Sequence, residues 1–482
     1  MKKDRYPWLL LSVTSLGVLL TTLNLSTLNV ALPEVAAYFH AGAVATSWIL
    51  LSYMLFNTIL ILVFGKLADI YGRRTLYLIG LTEFTVVSLL CGFSENVWVL
   101  IGLRILQAAG GALVITNTTP LITDAFPQRD LGTALGINVL NASVAQLAGP
   151  VVGGYLVYAF GWRWVFWFNV PIGIIGILWA IYTLRPVPGQ AKGEKIDFPG
   201  NAFILLGLGG LIFAFSEGGV IGWSSGLVLG GMALFVLFAA CFVWWERHAP
   251  YPTVDLTLFR DRSYAMANLA TFLNSLARSS VVLLVALFFQ VVSRENTFDA
   301  GLKVLPVTVG MIIASPVAGA LSARFSARLL STGGLGVTCV GMLLLMENLG
   351  LNASVLRIEL GQLLVGIGTG LFMTPNTKSI MLTVPLEKRG MANGLRSMLQ
   401  NMGAVISAAL SLMIVTSALP ARLKDAIYEG AGAAVSTADI PLIAGGYRLA
   451  FLVLLLLTVL AIAASFLRPS AAKTAAKTGS KA

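Results

Sequence analysis

The chain has 482 residues, of which 57% are hydrophobic and only 11% are charged. A typical soluble domain carries about 25% charged residues, so this composition, with a mean hydropathy of +0.86, excludes a soluble globular protein. The net charge of +11 fits basic loops that face anionic lipid, and nucleic acid is therefore not an expected partner.

Apolar runs recur along the whole chain, and each is long enough to cross a bilayer. Lipid offers no hydrogen-bond partners to the backbone, and the runs do not alternate polar and apolar residues as barrel strands do, so we interpret them as helices. The expected fold class is an all-α polytopic membrane protein of about 14 transmembrane helices. In chain order, the predicted spans are 8–30, 45–64, 75–93, 97–122, 133–158, 164–184, 198–216, 226–245, 264–292, 302–322, 329–346, 356–377, 391–415 and 446–467.

The basic residues predict the orientation of these spans. Lys2, Lys3 and Arg5 precede the first span, and most other lysines and arginines, such as Lys388 and Arg389, fall in segments on the same side. The positive-inside rule makes that side cytoplasmic. An even number of spans then places both termini in the cytoplasm, with the protein in a bacterial-type plasma or inner membrane.

The chain contains an internal repeat. A proline and two glycines recur with the same internal spacing, as Pro127, Gly132, Gly136 and as Pro385, Gly390, Gly394. Internal repeats are typical of secondary transporter folds, which place the substrate site at the repeat interface near the bilayer midplane.

The repeat pairs spans 1–6 with spans 9–14 and predicts the domain organisation. We expect an N-terminal six-helix bundle over 1–184 and a cytoplasmic linker with two inserted helices over 185–262. A C-terminal six-helix bundle follows over 263–467, and the Ala/Lys/Thr-rich segment 468–482 is expected to be a disordered cytoplasmic tail.

The loop between spans 2 and 3 combines small and charged residues at Gly65, Asp69, Gly72, Arg73 and Arg74. Glycines permit a tight turn, and a carboxylate between helix ends can cap backbone amides and pair with arginines. Such a latch can hold one conformation and break in another, which is a gating function. The alternative is a plain topology anchor made of basic loop charge.

Span 4 carries Arg104, Gln107 and Gly111 on one helical face. An arginine within a membrane is costly and is expected to face the bundle interior or water. The alternative is that its side chain reaches a lipid headgroup. In span 5, Gly149, Pro150, Gly153 and Gly154 predict close helix packing at a kinked helix.

These stretches resemble known motifs of one family. The 65–74 loop resembles motif A of the major facilitator superfamily, the Arg104 stretch resembles motif B, and the Gly149 stretch resembles motif C of its antiporter branch. The aromatic string from Gly161 to Gly173 is similar to the fourteen-helix drug:proton antiporter family (EmrB/QacA-like multidrug efflux transporters). The resemblance implies a secondary active transporter that exports hydrophobic or amphiphilic small molecules by alternating access with proton antiport. It also implies a role in proton transfer for the motif B arginine, Arg104.

The departure from that family that bears most on proton coupling lies in span 1. Asn24 stands where the family usually has an aspartate in span 1, and asparagine cannot titrate. Glu83 in span 3 is the deepest remaining acid, so Arg104 and Glu83 are the candidates for proton coupling. Glu83 could instead be a structural partner of Arg104 or of a backbone donor.

The predicted cavity helices contain Arg104, Arg278 and Arg396 but no acid clearly at their midpoints. The alternative function is therefore an exporter or facilitator of organic anions or lipid-like acids, with an arginine-lined cavity. Pairing of each arginine with carbonyls, or with Glu83 or Glu359, would remove that argument. The polar cavity candidates are Asn24, Asn29, Asn57, Gln107, Asn138, Asn141, Arg278, Arg396 and Gln400.

The sequence contains no metal-ligand cluster, no nucleophile–base set and no phosphate-binding loop. We therefore expect no cofactor, no metal and no enzyme activity. The expected partners are a small-molecule substrate, protons and the lipid bilayer, and the expected state is a monomer. A receptor-like sensor is a further alternative, but no large soluble domain is present to carry its signal.

Overall fold

The computed structural model describes residues 5–186, 189, 195, 197–350, 354–417, 419, 420, 423 and 436–469. Lys2 and Lys3, most of the linker 187–196 and the predicted tail beyond Pro469 lie outside the described residues. The helices are α1 (Tyr6–Tyr38), α2 (Ala43–Tyr71), α3 (Arg73–Gly92), α4 (Val97–Ala125), α5 (Gln128–Phe160), α6 (Trp164–Trp167), α7 (Asn169–Thr183), α8 (Phe198–Ile221), α9 (Gly226–Glu246), α10 (Arg262–Val291), α11 (Thr297–Leu302), α12 (Leu305–Leu321), α13 (Ala327–Asn348), α14 (Val355–Thr383), α15 (Arg389–Thr416) and α16 (Ile440–Phe466).

The predicted fold class is confirmed. Every regular element in the described ranges is helical, and 14 helical segments are long and apolar enough to cross a membrane. The sixth of these segments joins α6 and α7, and the tenth joins the end of α11 to α12. Several helices extend beyond the predicted spans, because hydropathy marks only the apolar part of a helix whose backbone hydrogen bonds continue into polar sequence.

Local sequence accounts for several helix ends. The Asn96 side chain caps α4, Asp261 caps α10 and Ser326 caps α13, each by accepting a hydrogen bond from a backbone N–H of the first turn. Between α2 and α3, Gly72 has a φ of +95°. Only glycine adopts that conformation without strain, and it lets the chain turn with a single linking residue.

The chain folds into two compact units, and each is described by itself. Unit 1 comprises Met1–Leu211, Gly231–Leu258 and Met381–Met398. Within it α1 packs against α5, while α4 packs against both α2 and α3. Its core is built from residues such as Leu20, Tyr77 and Phe84.

Unit 2 comprises Ile212–Gly230, Phe259–Ile380 and Leu399–Ala482. Within it α10 and α13 each pack against α16. Its largest apolar cluster includes Phe288, Phe289, Tyr447 and Phe451, all of which are buried.

Candidate functional site

Within unit 1, Asp69 at the end of α2 caps the N-terminus of α15. Its Oδ1 accepts a hydrogen bond from the backbone N–H of Gly390 and its Oδ2 accepts one from that of Met391, both at 2.9 Å. Arg73 Nη2 also donates to Asp69 Oδ1 at 3.0 Å. The first N–H groups of a helix have no intrahelical acceptor and carry a partial positive charge. A carboxylate is therefore a favourable cap, and this one is only 3% exposed.

Arg73 extends this cap into a chain of charges. Its guanidinium forms an ion pair with Asp124 at the end of α4 and donates to the carbonyl of Leu386 at 2.7 Å. Asp124 also accepts from Arg389 Nη1 at 2.7 Å. Sequence reasoning missed Asp124 and Arg389, because they lie 265 residues apart and neither belongs to a local motif.

The inner and outer parts of this network differ in exposure. Asp69 and Arg73 are 3% and 8% exposed, whereas Asp124 and Arg389 are 30% and 17% exposed. Water screens the outer pair, and exposed ion pairs contribute little. The main strength of the network therefore lies in the buried Asp69 and its backbone donors.

Two glycines allow the helices to approach closely here. A Cβ on Gly65 would lie 2.6 Å from the carbonyl oxygen of Gly390, and a Cβ on Gly390 would lie 2.6 Å from Asp69 Oδ1. The sequence-predicted Gly65, Asp69 and Arg73 are thus brought together at Gly390, and Gly72 is the residue that links α2 to α3. Arg74 lines the same pocket as Asp69 and Arg73, but its Nη2 donates to the carbonyl of Ile181 at 3.4 Å and not to the cap.

A segment that follows α9 also reaches the network. Lys66 Nζ donates to the carbonyls of Tyr251 and Pro252 at 2.6 Å and 2.5 Å. Lys388, next to Arg389, pairs with Asp255 at 2.5 Å. Burial raises the pKa of Asp255, but the hydrogen bonds from Lys388 and Thr257 outweigh it and hold the pKa below its ordinary value. We call residues 250–255 the strap; no sequence motif marks it.

A second buried polar cluster surrounds Arg104 in α4, which is fully buried. Its Nη1 donates to Asn24 Oδ1 at 2.8 Å and to Gln107 Oε1 at 2.5 Å, and its Nε donates to the carbonyl of Ile49 at 3.3 Å. Gln107 in turn donates to Ser88 Oγ at 2.7 Å. The guanidinium does not reach the surface, and its partners are uncharged oxygens.

Gly111, on the same face of α4, makes room for α2. A Cβ there would lie 3.2 Å from Asn57 Nδ2 and would overlap the Tyr53 hydroxyl. Asn57 Nδ2 donates to the carbonyl of Ala108 at 3.2 Å. The Asn57 side chain therefore links α2 to α4 through a hydrogen bond and is not left available in a cavity.

The alternative in which Glu83 pairs with Arg104 is wrong. None of the hydrogen bonds of Arg104 goes to a carboxylate. Glu83 Oε2 lies instead against the backbone of α4 at Gly110, where a Cβ would overlap it, and this oxygen is buried without a hydrogen-bond partner.

The glycines of α5 pack against α1. A Cβ on Gly153 would lie 2.7 Å from the carbonyl oxygen of Thr27, and one on Gly149 would overlap the Ser26 side chain. Pro150 has no N–H, which leaves the carbonyl of Gln146 without its usual donor. Ser26 Oγ of α1 donates to that carbonyl at 3.0 Å. Ser26 thus satisfies the carbonyl that Pro150 leaves without a donor. Sequence reasoning did not identify this role.

The remaining arginines are held differently. Arg396, in unit 1, donates through Nε and Nη2 to Asn393 Oδ1 at 3.1 Å and 3.0 Å, and Asn393 donates to the carbonyl of Thr116 at 2.9 Å. Arg278, in unit 2, has its Nη1 3.9 Å from Met311 Sδ, and its Nε is buried with no hydrogen-bond partner. No described carboxylate forms an ion pair with Arg278.

The other polar candidates do not form one group. Asn29 on α1 is exposed. Asn141 donates to Ser15 Oγ at 2.6 Å, whereas Asn138 Oδ1 is buried with no hydrogen-bond partner in the described structure. Gln400, in unit 2, accepts from Ser275 Oγ through its backbone carbonyl at 2.5 Å. The described residues contain no group of three His, Cys, Asp or Glu side chains that could hold a metal ion.

Comparison with known proteins places this geometry in context. The sequence pattern of the Major Facilitator Superfamily matches residues 14–293 and 267–482. The chain is 33% identical over 422 residues to the multidrug resistance protein Stp of Mycobacterium tuberculosis (strain CDC 1551 / Oshkosh), across 87% of this chain and 78% of Stp. It is 30% identical over 407 residues to the riboflavin transporter RibZ of Clostridioides difficile (strain 630), across 83% of this chain and 87% of RibZ. A solved structure of the proton:xylose symporter XylE has a similar fold, with a TM-score of 0.65, 14% identity and 95% of each chain covered.

Proposed function

Because the chain belongs to the Major Facilitator Superfamily of membrane transporters, we propose that it exports hydrophobic or amphiphilic small molecules in exchange for protons, as a member of the fourteen-helix drug:proton antiporter branch. The observation that carries the proposal is the likeness to Stp, a protein named for multidrug resistance, over 87% of the chain. RibZ, which is named for riboflavin, shows that relatives differ in substrate. We further propose a monomer in the cell membrane with both termini cytoplasmic.

The contacts around Asp69 support a gating role. In this proposal the cap that joins α2 to α15 stabilises one state of the transport cycle and breaks in the other, so the cap is the bistable element of alternating access. The strap would add to the same state through Lys66 and Lys388, whose bonds to residues 250–255 lie beside the cap. The close packing of α1 on α5 at Gly153 would give the cycle a rigid pair of helices to move.

Glu83 is the acid that we propose for proton exchange. Asn24 cannot titrate, and Glu83 presents a buried carboxyl oxygen that has no hydrogen-bond partner. Acids within membrane-spanning helices are costly and commonly mark proton pathways. The arrangement supports a role in which the group gains and loses a proton as its access to water changes.

The test uses purified protein in liposomes with an imposed pH gradient, in which uptake of a fluorescent lipophilic cation and of a fluorescent organic anion is followed in parallel. Gradient-driven movement of the cation, lost in Glu83→Gln but kept in Glu95→Gln, would support the proposal; Glu95 is an exposed acid close by in sequence. Transport that is indifferent to the pH gradient would refute proton antiport.

A second candidate function is the export of organic anions, and one observation favours it. Arg278 is a largely buried cation in unit 2 whose only hydrogen bond among the described residues goes to a methionine sulphur, so an anionic substrate would supply the missing charge. Here Arg278→Gln should abolish movement of the anion, while the exposed Arg357→Gln in the same unit should not. Cation movement without anion movement would exclude this candidate.

A further inference from the structure

Two buried carboxyl groups meet in unit 1 where α8 begins and α9 ends. Asp197 directly precedes α8 and Glu246 is the last residue of α9, and they are 6% and 4% exposed. A Cβ on Gly200 would overlap Asp197 Oδ2 and would lie 3.0 Å from Glu246 Oε1. One added carbon atom would therefore touch both oxygens, so the two acids face each other across a single small space.

The hydrogen bonds of the pair leave one oxygen without a donor. Asp197 Oδ1 accepts from an N–H in the first turn of α8 at 3.0 Å and from Trp245 Nε1 at 2.8 Å. Its Oδ2 is buried with no hydrogen-bond partner in the described structure. Glu246 accepts from the strap instead, through Oε1 from the Thr253 N–H at 3.1 Å and through Oε2 from the Val254 N–H at 3.3 Å. The oxygen without a donor is thus the one that faces Glu246.

The surroundings do not neutralise both acids. Lys66 on α2 is the cation that faces Glu246 in the described structure, and its Nζ already donates to two strap carbonyls. The other titratable groups nearby in sequence are the exposed Lys195, Arg247, His248 and Tyr251, and Asp255, which pairs with Lys388. Two ionised carboxylates at one buried point repel each other, and such a pair relieves the repulsion by binding one proton.

We propose that Asp197 and Glu246 bind one proton near neutral pH, held on Asp197 Oδ2, and that this proton keeps the strap attached to α9. Protonation turns Oδ2 into an O–H that donates to Glu246 Oε1. Glu246 then stays ionised and continues to accept from Thr253 and Val254. A proton needs no cavity, so the burial of both side chains is compatible with it. When the proton leaves, the two facing carboxylates repel and the strap loosens.

The test compares Asp197→Asn with the wild type, as purified full-length protein in detergent, and does not depend on the proposed transport function. The amide imitates the protonated acid, because its NH₂ group donates to Glu246 at every pH. A proton that the folded wild type binds and the unfolded chain releases makes stability fall as the pH rises. The unfolding temperature of the variant minus that of the wild type should therefore grow by at least about 2 °C between about pH 5.5 and about pH 8.5 at equal ionic strength.

Asp261→Asn is the matched control. Asp261 also caps a helix, since its Oδ1 accepts from the N–H groups of Ser263 and Tyr264, but it is exposed. Its variant should differ from the wild type by the same amount at both pH values. An equally constant difference for Asp197→Asn would overturn the proposal, because the pair would then exchange no proton in this range.

Hydrogen–deuterium exchange at about pH 8.5 tests the link to the strap. The amides of Thr253 and Val254 should exchange at least about threefold more slowly in Asp197→Asn than in the wild type, since the neutral donor holds Glu246 in place. Equal or faster exchange in the variant would overturn the proposed control of the strap by the proton.

Discussion

Replacing Asp69 by asparagine is expected to free the first turn of α15. Asp69 accepts from the N–H groups of Gly390 and Met391 at 2.9 Å and from Arg73 at 3.0 Å. Asparagine keeps one acceptor oxygen and turns an NH₂ group toward one of these donors. An unsatisfied buried donor costs about 1–3 kcal/mol, and loss of the charge at the helix N-terminus costs about 0.3–2 kcal/mol more.

The sum is about 1.3–5 kcal/mol, and its lower limit corresponds to roughly tenfold easier opening of the cap. Hydrogen–deuterium exchange of the peptide that covers residues 386–393, followed by mass spectrometry, reports this opening directly. The control is Asp130→Asn, which removes a half-buried acid from the first turn of α5. Exchange in Asp69→Asn that stays within about twofold of the wild type would refute the assigned cap.

Two further predictions concern packing and pH. Gly153→Ala would place a Cβ 2.7 Å from the Thr27 carbonyl oxygen, so it should lower stability by about 1–3 kcal/mol. The measurement is the unfolding temperature in detergent. The control is Gly154→Ala, which should have little effect because the nearest atom to its Cβ would be 4.0 Å away. The Asp255–Lys388 pair is partly exposed and should stabilise by about 1 kcal/mol or less. The pKa of Asp255 is depressed in the folded protein, so the stability difference between wild type and Asp255→Asn should be present near pH 7 and should disappear only below about pH 3.9. If the difference is already lost between about pH 5 and pH 6, the assigned ion pair is contradicted.

The prediction of the candidate site from sequence was uneven, for physical reasons. The loop from Gly65 to Arg74 was recognisable because its glycines and charges are close in sequence, and the structure brings Gly65, Asp69 and Arg73 together at Gly390. Asp69's principal partners could not be found in this way, because they are backbone amides of Gly390 and Met391, and any residue type carries such an amide.

Other pairings depend on which helix faces meet. Ser26 gave no signal in the sequence, since its role arises only because α1 lies against the carbonyl that Pro150 leaves free. The expected alternatives for Glu83 were a role in proton exchange and a structural partnership with Arg104 or with a backbone donor. The pairing with Arg104 was wrong because position on a helix does not by itself fix which neighbour a side chain meets, and Glu83 lies against the backbone of α4 at Gly110 instead.

The sequence by itself determined that this is an all-helical membrane protein with 14 spans, because a bilayer forces every long apolar segment to satisfy its own backbone hydrogen bonds as a helix. It also predicted close helix packing at Gly149, Gly153 and Gly154, but at Gly154 the nearest atom would be 4.0 Å from a Cβ. Only the tertiary structure decided which groups Asp69 caps, how Asp124 joins Arg73 to Arg389, and that Asp197 and Glu246 face each other beside the strap. Those outcomes depend on contacts between distant segments, and neither composition nor periodicity encodes the register at which two helices meet.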